Sequence, residues 1–232
     1  MTYNSIVLVK QVPDTANISG DVMKPDGTVN RAKLPAIFNP EDKVALELAL
    51  QVKDQYGGKV TAVTMGPPKA AELLKECLYM GADEVVLVTD RKFAGADTLA
   101  TSYVLNKVIE KIGNYDIVFA GRQAIDGDTA QVGPQTAEKL GLPQITYAEQ
   151  ILELNDGKIK VQRLIDGGYE ILVSKLPALL TVVKEASLPR PFSAKRVMTF
   201  KNYIPQHLTT EDLDVDLERC GLFGSPPKVH NI

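Results

Sequence analysis

The sequence predicts an α/β fold, a doubly wound and mostly parallel sheet with antiparallel strands at one edge and an extended C-terminal arm. Three observations carry this. Short runs rich in β-branched residues alternate with helical segments as far as Leu142, which implies parallel pairing through right-handed crossovers. Those runs are apolar at nearly every position, as strands covered on both faces must be. After Leu142 the chain reads as strands separated by Asn-Asp-Gly and Asp-Gly-Gly turns, and from Glu185 prolines break the pattern. The expected division is residues 1–184 for the α/β domain and 185–232 for the arm.

Each element follows from its residues. "SIVLVKQV", residues 5–12, is a short buried strand. "DVMKPDGTVNR", residues 21–31, has the Pro-Asp-Gly centre of a hairpin. "NPEDKVALELALQVKDQYGG" is a helix: Asn39 is placed to cap it and Pro40 suits its first turn. Glu41 and Asp42 suit its positive end, Val44, Leu48 and Val52 form its apolar stripe, and Gly57 ends it. "GKVTAVTM" is a strand with a sharp exit at "GPP", and "KAAELLKECLYMG" is a helix stopped by Gly81. "EVVLVTD" is a strand, followed by a helix capped by Asp97 and ending near Gly113. "YDIVFA" is a strand and "TAQVGPQTAEKLG" a helix. The strands after Leu142 are expected to be antiparallel and added at one edge. The arm is expected to be extended and to pack on something else.

The bulk properties narrow the function classes. The chain has 232 residues, 44% hydrophobic and 24% charged, with a net charge of −3. No clustered basic face is visible, so nucleic acid is not an expected partner. No apolar run is long enough to span a bilayer. Two histidines and two cysteines show no metal-ligand spacing, and Cys77 falls on the apolar side of a helix as a buried thiol would. Few thiols and a first segment that reads as a strand rather than a leader predict a reducing cytoplasm.

In an open parallel sheet, ligands bind beyond the carboxyl ends of the strands. Five loops lie there: "VPDTAN", "FNPED", "MGPP", "FAGADTLATS" and "GRQAIDGDTAQVGP". None is a Walker loop or a G-x-G-x-x-G turn. The last, residues 121–134, runs from a strand to a helix. Gly121, Gly127 and Gly133 permit tight turns, Thr129 and Gln131 offer neutral polar groups, and Asp126 or Asp128 can accept from ribose hydroxyls. The same residues also suit a surface turn whose aspartates cap N–H groups. In "GADTLATS", Asp97 is an N-cap, and Thr98 and Thr101 put two hydroxyls on one side of the first helical turn. They can form a platform for a ring edge, or simply sit beside a capped helix. No Ser-His-Asp set and no pair of carboxylates at acid/base spacing is visible, so no catalytic side chain is assigned. A nucleotide-sized crevice without such groups suggests that a cofactor does the chemistry.

Taken together, "VKQVPDT", "FNPEDKVALELAL", "TMGPP", "MGADEVVLVTD" and above all "AGRQAIDGDTAQVGPQTAEKLGLPQ" resemble the beta subunit of electron-transferring flavoprotein over nearly the whole chain. The resemblance implies an adenine-nucleotide alpha-hydrolase-like fold and a heterodimer with an alpha subunit. It implies electron transfer to an acyl-CoA or related flavin dehydrogenase. In that family the beta-subunit crevice holds either a structural AMP or, in electron-bifurcating members, an FAD that takes hydride from NADH. "FAGADTLATS" resembles the bifurcating type, whose low-potential acceptor is ferredoxin or flavodoxin. By the same resemblance, Leu8, Asn39, Met65 and Gly66 match positions around the adenosine. Ala120, Gly121, Arg122 and Gln123, then Asp126, Gly127, Asp128, Thr129, Ala130, Gln131 and Val132, match the ribose and phosphate loop. Pro13, Asp14, Asp97, Thr98 and Thr101 match the flavin end. Glu185, Leu188 and Arg190 fall where the family has its docking loop, with Leu188 as candidate anchor. The family's C-terminus often runs further than Ile232.

Overall fold

The structure, a computed structural model, describes residues 2–14 and 34–226. The hairpin expected over residues 21–31 lies outside them, as does Thr15. In chain order the elements are β1 (Ser5–Leu8), β2 (Gln11–Pro13), β3 (Ala36–Phe38), α1 (Pro40–Tyr56), β4 (Val60–Met65), α2 (Ala71–Met80), β5 (Glu84–Val88) and α3 (Thr98–Ile112). Then come β6 (Ile117–Gly121), α4 (Val132–Leu140), β7 (Gln144–Asn155), β8 (Lys158–Ile165), β9 (Gly168–Lys175), β10 (Ala178–Val182), α5 (Ala194–Phe200) and β11 (Gln206–Leu208).

The main sheet has nine strands in the order β11-β5-β4-β1-β6-β10-β7-β8-β9. All pairs from β11 to β7 are parallel, and β7-β8-β9 is an antiparallel meander at the edge. The sheet is doubly wound. Strand residues alternate between two cores because successive Cβ atoms point to opposite faces. Val7 joins the core under α1 and α2, with Leu46, Leu74 and Phe119. Ile6 and Leu8 join the core under α3 and α4, with Val104, Ile109 and Ala137. Cys77 is fully buried in the first core, and burial pushes its thiol well above its ordinary value.

Three expectations need correction. The single strand expected over residues 5–12 is two. The chain leaves the main sheet after Val9, and β2 pairs antiparallel with β3 in a separate two-stranded sheet. The break falls at Lys10, whose N–H goes to the Asp42 carboxylate (2.8 Å) instead of a ladder partner. Second, β10 is not an antiparallel edge strand: it sits between β6 and β7, parallel to both. Its five residues are all buried, as a position covered on both faces requires. Third, the helix expected from Thr129 starts at Val132, because Asp128 (φ 50°) and Ala130 (φ 52°) are left-handed and cannot lie within it.

The arm folds back over its own domain. β11 extends the sheet beside β5, and residues 213–225 pack over α3, burying Leu213 and Cys220. Among the described residues, no helix is long and apolar enough to cross a membrane.

Candidate functional site

Strand order reverses at β1: the chain goes first outward through β4 and β5, then returns to β6 on the other side. Loops leaving β1 and its neighbours therefore splay apart, and a crevice of about 960 Å³ opens beyond their carboxyl ends. Its walls come from Leu8–Lys10, Met65–Pro68, residues 88–91 and 93–98 with Thr101, and residues 120–124 and 127–133.

One wall is the loop after β6. It is held from below by the first turn of α1. Asp42 accepts from the N–H of Gly121 (3.0 Å) and of Lys10 (2.8 Å), tying the exits of β6 and β1 to one carboxylate. Glu41 accepts from the Arg122 guanidinium (2.8 Å) and from the Gln123 N–H (2.9 Å). Asn39, wholly buried, makes no side-chain cap to α1; its amide donates to the Gln123 carbonyl (2.9 Å) and accepts from the Ile125 N–H (3.2 Å). Gly121 admits this close approach: a Cβ there would lie 2.4 Å from Asp42 Oδ1. Burial pushes the Asp42 carboxyl up to about 7, against the opposing pull of the Asn39, Lys10 and Gly121 donors.

The loop's two acids do not confront a phosphate unpaired. Asp126 turns to the Lys10 ammonium (2.8 and 2.9 Å), and Asp128 accepts from the Gln123 amide (2.9 Å). The loop then delivers the N-terminus of α4 to the crevice. That terminus has no side-chain cap, and Pro134 in its first turn has no N–H to give. Val132 and Gly133 line the crevice there, so the uncapped positive end of a helix faces the cavity.

The opposite wall is the N-terminus of α3, and its electrostatics differ. Asp97 caps it, accepting from the Ala100 N–H (2.9 Å), as its sequence position predicts. A capped end with a carboxylate has no need of an anion. What it offers is hydroxyls. Thr98 donates to Gln131 (2.8 Å) and accepts from Gln135 (3.4 Å), joining α3 to the other wall. Among the described residues, the Thr101 hydroxyl makes no side-chain hydrogen bond, and it lines the crevice.

The structure thus brings together Leu8, Met65, Gly66, Asp97, Thr98, Thr101, residues 120–123 and residues 127–132 around one cavity. It leaves Pro13, Asp14, Asn39 and Asp126 outside the lining. Pro13 and Asp14 leave with β2, where the Asp14 N–H bonds the Pro35 carbonyl (2.8 Å). Asn39 and Asp126 act one step back, through the loop and through Lys10.

Of the expected docking residues, Leu188 is 91% exposed. Glu185 is also exposed. Arg190 is not free: its guanidinium pairs with Glu47 (2.8 and 3.0 Å) and Asp54 (2.8 Å) of α1. It fixes the loop that presents Leu188.

Glu41, Asp42 and Lys10 are site residues that the sequence reading missed. In sequence the two acids look like ordinary first-turn complements to a helix dipole, and nothing local says that each reaches residues about 80 positions downstream. Among the described residues, no cluster of His, Cys, Asp and Glu could hold a metal ion.

Comparison with known proteins bears on this geometry. Residues 26–203 match the electron transfer flavoprotein domain. The chain is 51% identical over 226 residues to the electron transfer flavoprotein subunit beta of Clostridium acetobutylicum, covering 97% of this chain and 86% of that one. It is 48% identical over 225 residues to the caffeyl-CoA reductase-Etf complex subunit CarD of Acetobacterium woodii, covering 97% and 85%. To the acryloyl-CoA reductase electron transfer subunit gamma of Anaerotignum propionicum it is 46% identical over 231 residues, covering 96% and 85%.

Proposed function

The chain belongs to the electron transfer flavoprotein family as a beta subunit, and on that premise we propose that its crevice binds FAD and serves electron bifurcation with NADH as donor. The observation that carries this reading is the asymmetry of the two helix ends: α4 uncapped, α3 capped and bearing hydroxyls. Phosphate belongs at α4, where the N–H groups are open. A neutral ring belongs at α3, where Asp97 already satisfies the charge and Thr101 offers a hydrogen bond. Only a ligand with a pyrophosphate and a ring beyond it uses both, and about 960 Å³ is at the upper end of small-molecule sites. AMP, the alternative cofactor, would occupy the β1–β4 end and α4 but leave α3 without a ligand. The family assignment removes an unrelated adenine-nucleotide binder from consideration.

A bound flavin would supply the redox chemistry, taking hydride from NADH and passing electrons to an alpha-subunit FAD and to ferredoxin or flavodoxin. The chain's own part is to bind and orient. Asp42, Glu41 and Asn39 hold the 121–125 backbone. The α4 end draws phosphate, and Thr98 keeps the two walls in register through Gln131. Leu188, presented by the Arg190 anchor, would enter an acyl-CoA or related dehydrogenase; two relatives are named for reductases of acyl-CoA compounds. A cytoplasmic heterodimer is the expected setting.

The test is cofactor content. The native heterodimer, denatured and analysed by chromatography, should release two FAD. One FAD with one AMP would overturn bifurcation by this crevice.

A further inference from the structure

The α3 end of the crevice is held by a part of the chain that no binding motif includes. In the usual capping box, the third residue of a helix returns a hydrogen bond to the N–H of the cap residue. In α3 that residue is Ala100, which has no group to return. The Asp97 N–H instead donates to the Ser225 hydroxyl (2.9 Å), 128 residues downstream. Ser225 is 5% exposed and gives its own proton to the Gly221 carbonyl (2.7 Å).

The segment that brings Ser225 there is shaped for close contact. Gly221 (φ 53°) runs so near residue 92 that a Cβ would lie 2.3 Å from the Lys92 carbonyl oxygen. The Leu222 N–H donates to the Ala94 carbonyl (3.1 Å). Gly95 (φ 75°) passes beneath Leu222, where a Cβ would meet the Leu222 Cβ at 3.4 Å. Just upstream, the Arg219 guanidinium lies over the Tyr103 ring of α3 (4.0 Å), and the Asp216 N–H donates to the Tyr103 hydroxyl (2.8 Å). Residues 216–225 therefore grip both α3 and the loop that leads into it, and that loop, residues 93–97, lines the crevice.

We propose that Ser225 is a positioning residue for the cofactor's ring end, setting from the arm the backbone that carries Asp97, Thr98 and Thr101. The proposal rests on the reading that a flavin ring lies against α3. Without the Ser225 oxygen, the Asp97 N–H has no acceptor, and the turn carrying the hydroxyls loses its fixed height above the crevice floor.

The experiment compares Ser225→Ala and Ser225→Thr with the wild-type heterodimer. Each is measured for the dissociation constant of the crevice cofactor, its visible spectrum and its thermal midpoint. The expected result is roughly fivefold to tenfold weaker binding and an altered flavin spectrum in Ser225→Ala, with both restored in Ser225→Thr, whose hydroxyl can accept the same bond. Wild-type affinity and spectrum in Ser225→Ala overturn the proposal, even if the midpoint falls. Should Ser225→Ala fail to assemble, Ser225→Cys, a weaker acceptor, is read by the same criteria. AMP in the wild-type crevice would sink the flavin reading; FAD there with an unaffected Ser225→Ala would sink the arm's role alone.

Discussion

Two helices end at the same crevice and do so in opposite ways. α3 carries its own carboxylate cap and is held from outside by the arm. α4 carries no cap, and the loop before it is held from inside by the first turn of α1. The difference shows how one cavity can have an end that attracts anions and an end that does not, set by how each helix terminus is satisfied. Satisfying a helix terminus internally makes it indifferent to anions; leaving it open makes it a receptor for them.

The inner support should be the more costly to lose. Asp42→Ala leaves two N–H groups without acceptors, and a loss of about 2–5 kcal/mol in urea unfolding is expected. The same variant tests the pH dependence. The native Asp42 carboxyl titrates at about 7, above its ordinary 3.8, so the native state keeps a proton that the unfolded chain has released. Its contribution is fully present below about pH 4 and is lost as pH rises toward 7, on the order of 4 kcal/mol in all. That slope should be missing from Asp42→Ala.

The charge at α4 comes next. Gln131→Glu keeps an acceptor for Thr98 but sets a negative charge at the open helix end. Cofactor affinity, by equilibrium dialysis, should fall about tenfold, near 1.4 kcal/mol, with the stability of the cofactor-free protein unchanged or slightly raised. Unchanged affinity would mean that phosphate does not bind at α4. The smallest effect is expected at the self-sufficient end: Asp97→Ala should cost about 1 kcal/mol of stability, by thermal unfolding, through the lost cap.

Much of this was legible in the residues. Alternating strands and helices gave the doubly wound sheet. Asp97 as cap and Gly57, Gly81 and Gly113 as stops fall where local chemistry puts them. The loops that line the crevice were also readable, because the carboxyl edge of a parallel sheet follows from topology. Long-range partners were not. A strand's periodicity reveals burial but not its neighbours, so the buried run "ALLTV" does not by itself show that β10 lies between β6 and β7 rather than with the edge strands. Asn39 stands where a local cap belongs, whereas its actual partners are Gln123 and Ile125. Ser225 carries no signal at all in sequence.

The position of β10 has a consequence for the order of assembly. It is made after the β7-β8-β9 meander, yet it enters between β6 and β7. Until it arrives, that meander has no attachment through the ladder to the central strands, and β6 presents an open edge. The Arg122 N–H, at the root of the phosphate loop, also waits for the Val182 carbonyl (2.8 Å). A ribosome that has released only the first 177 residues therefore holds a chain with most of its helices and no finished cofactor site. Ligand capture is reserved for a nearly complete polypeptide, because the β6–β10 pairing that permits it waits for β10 to emerge.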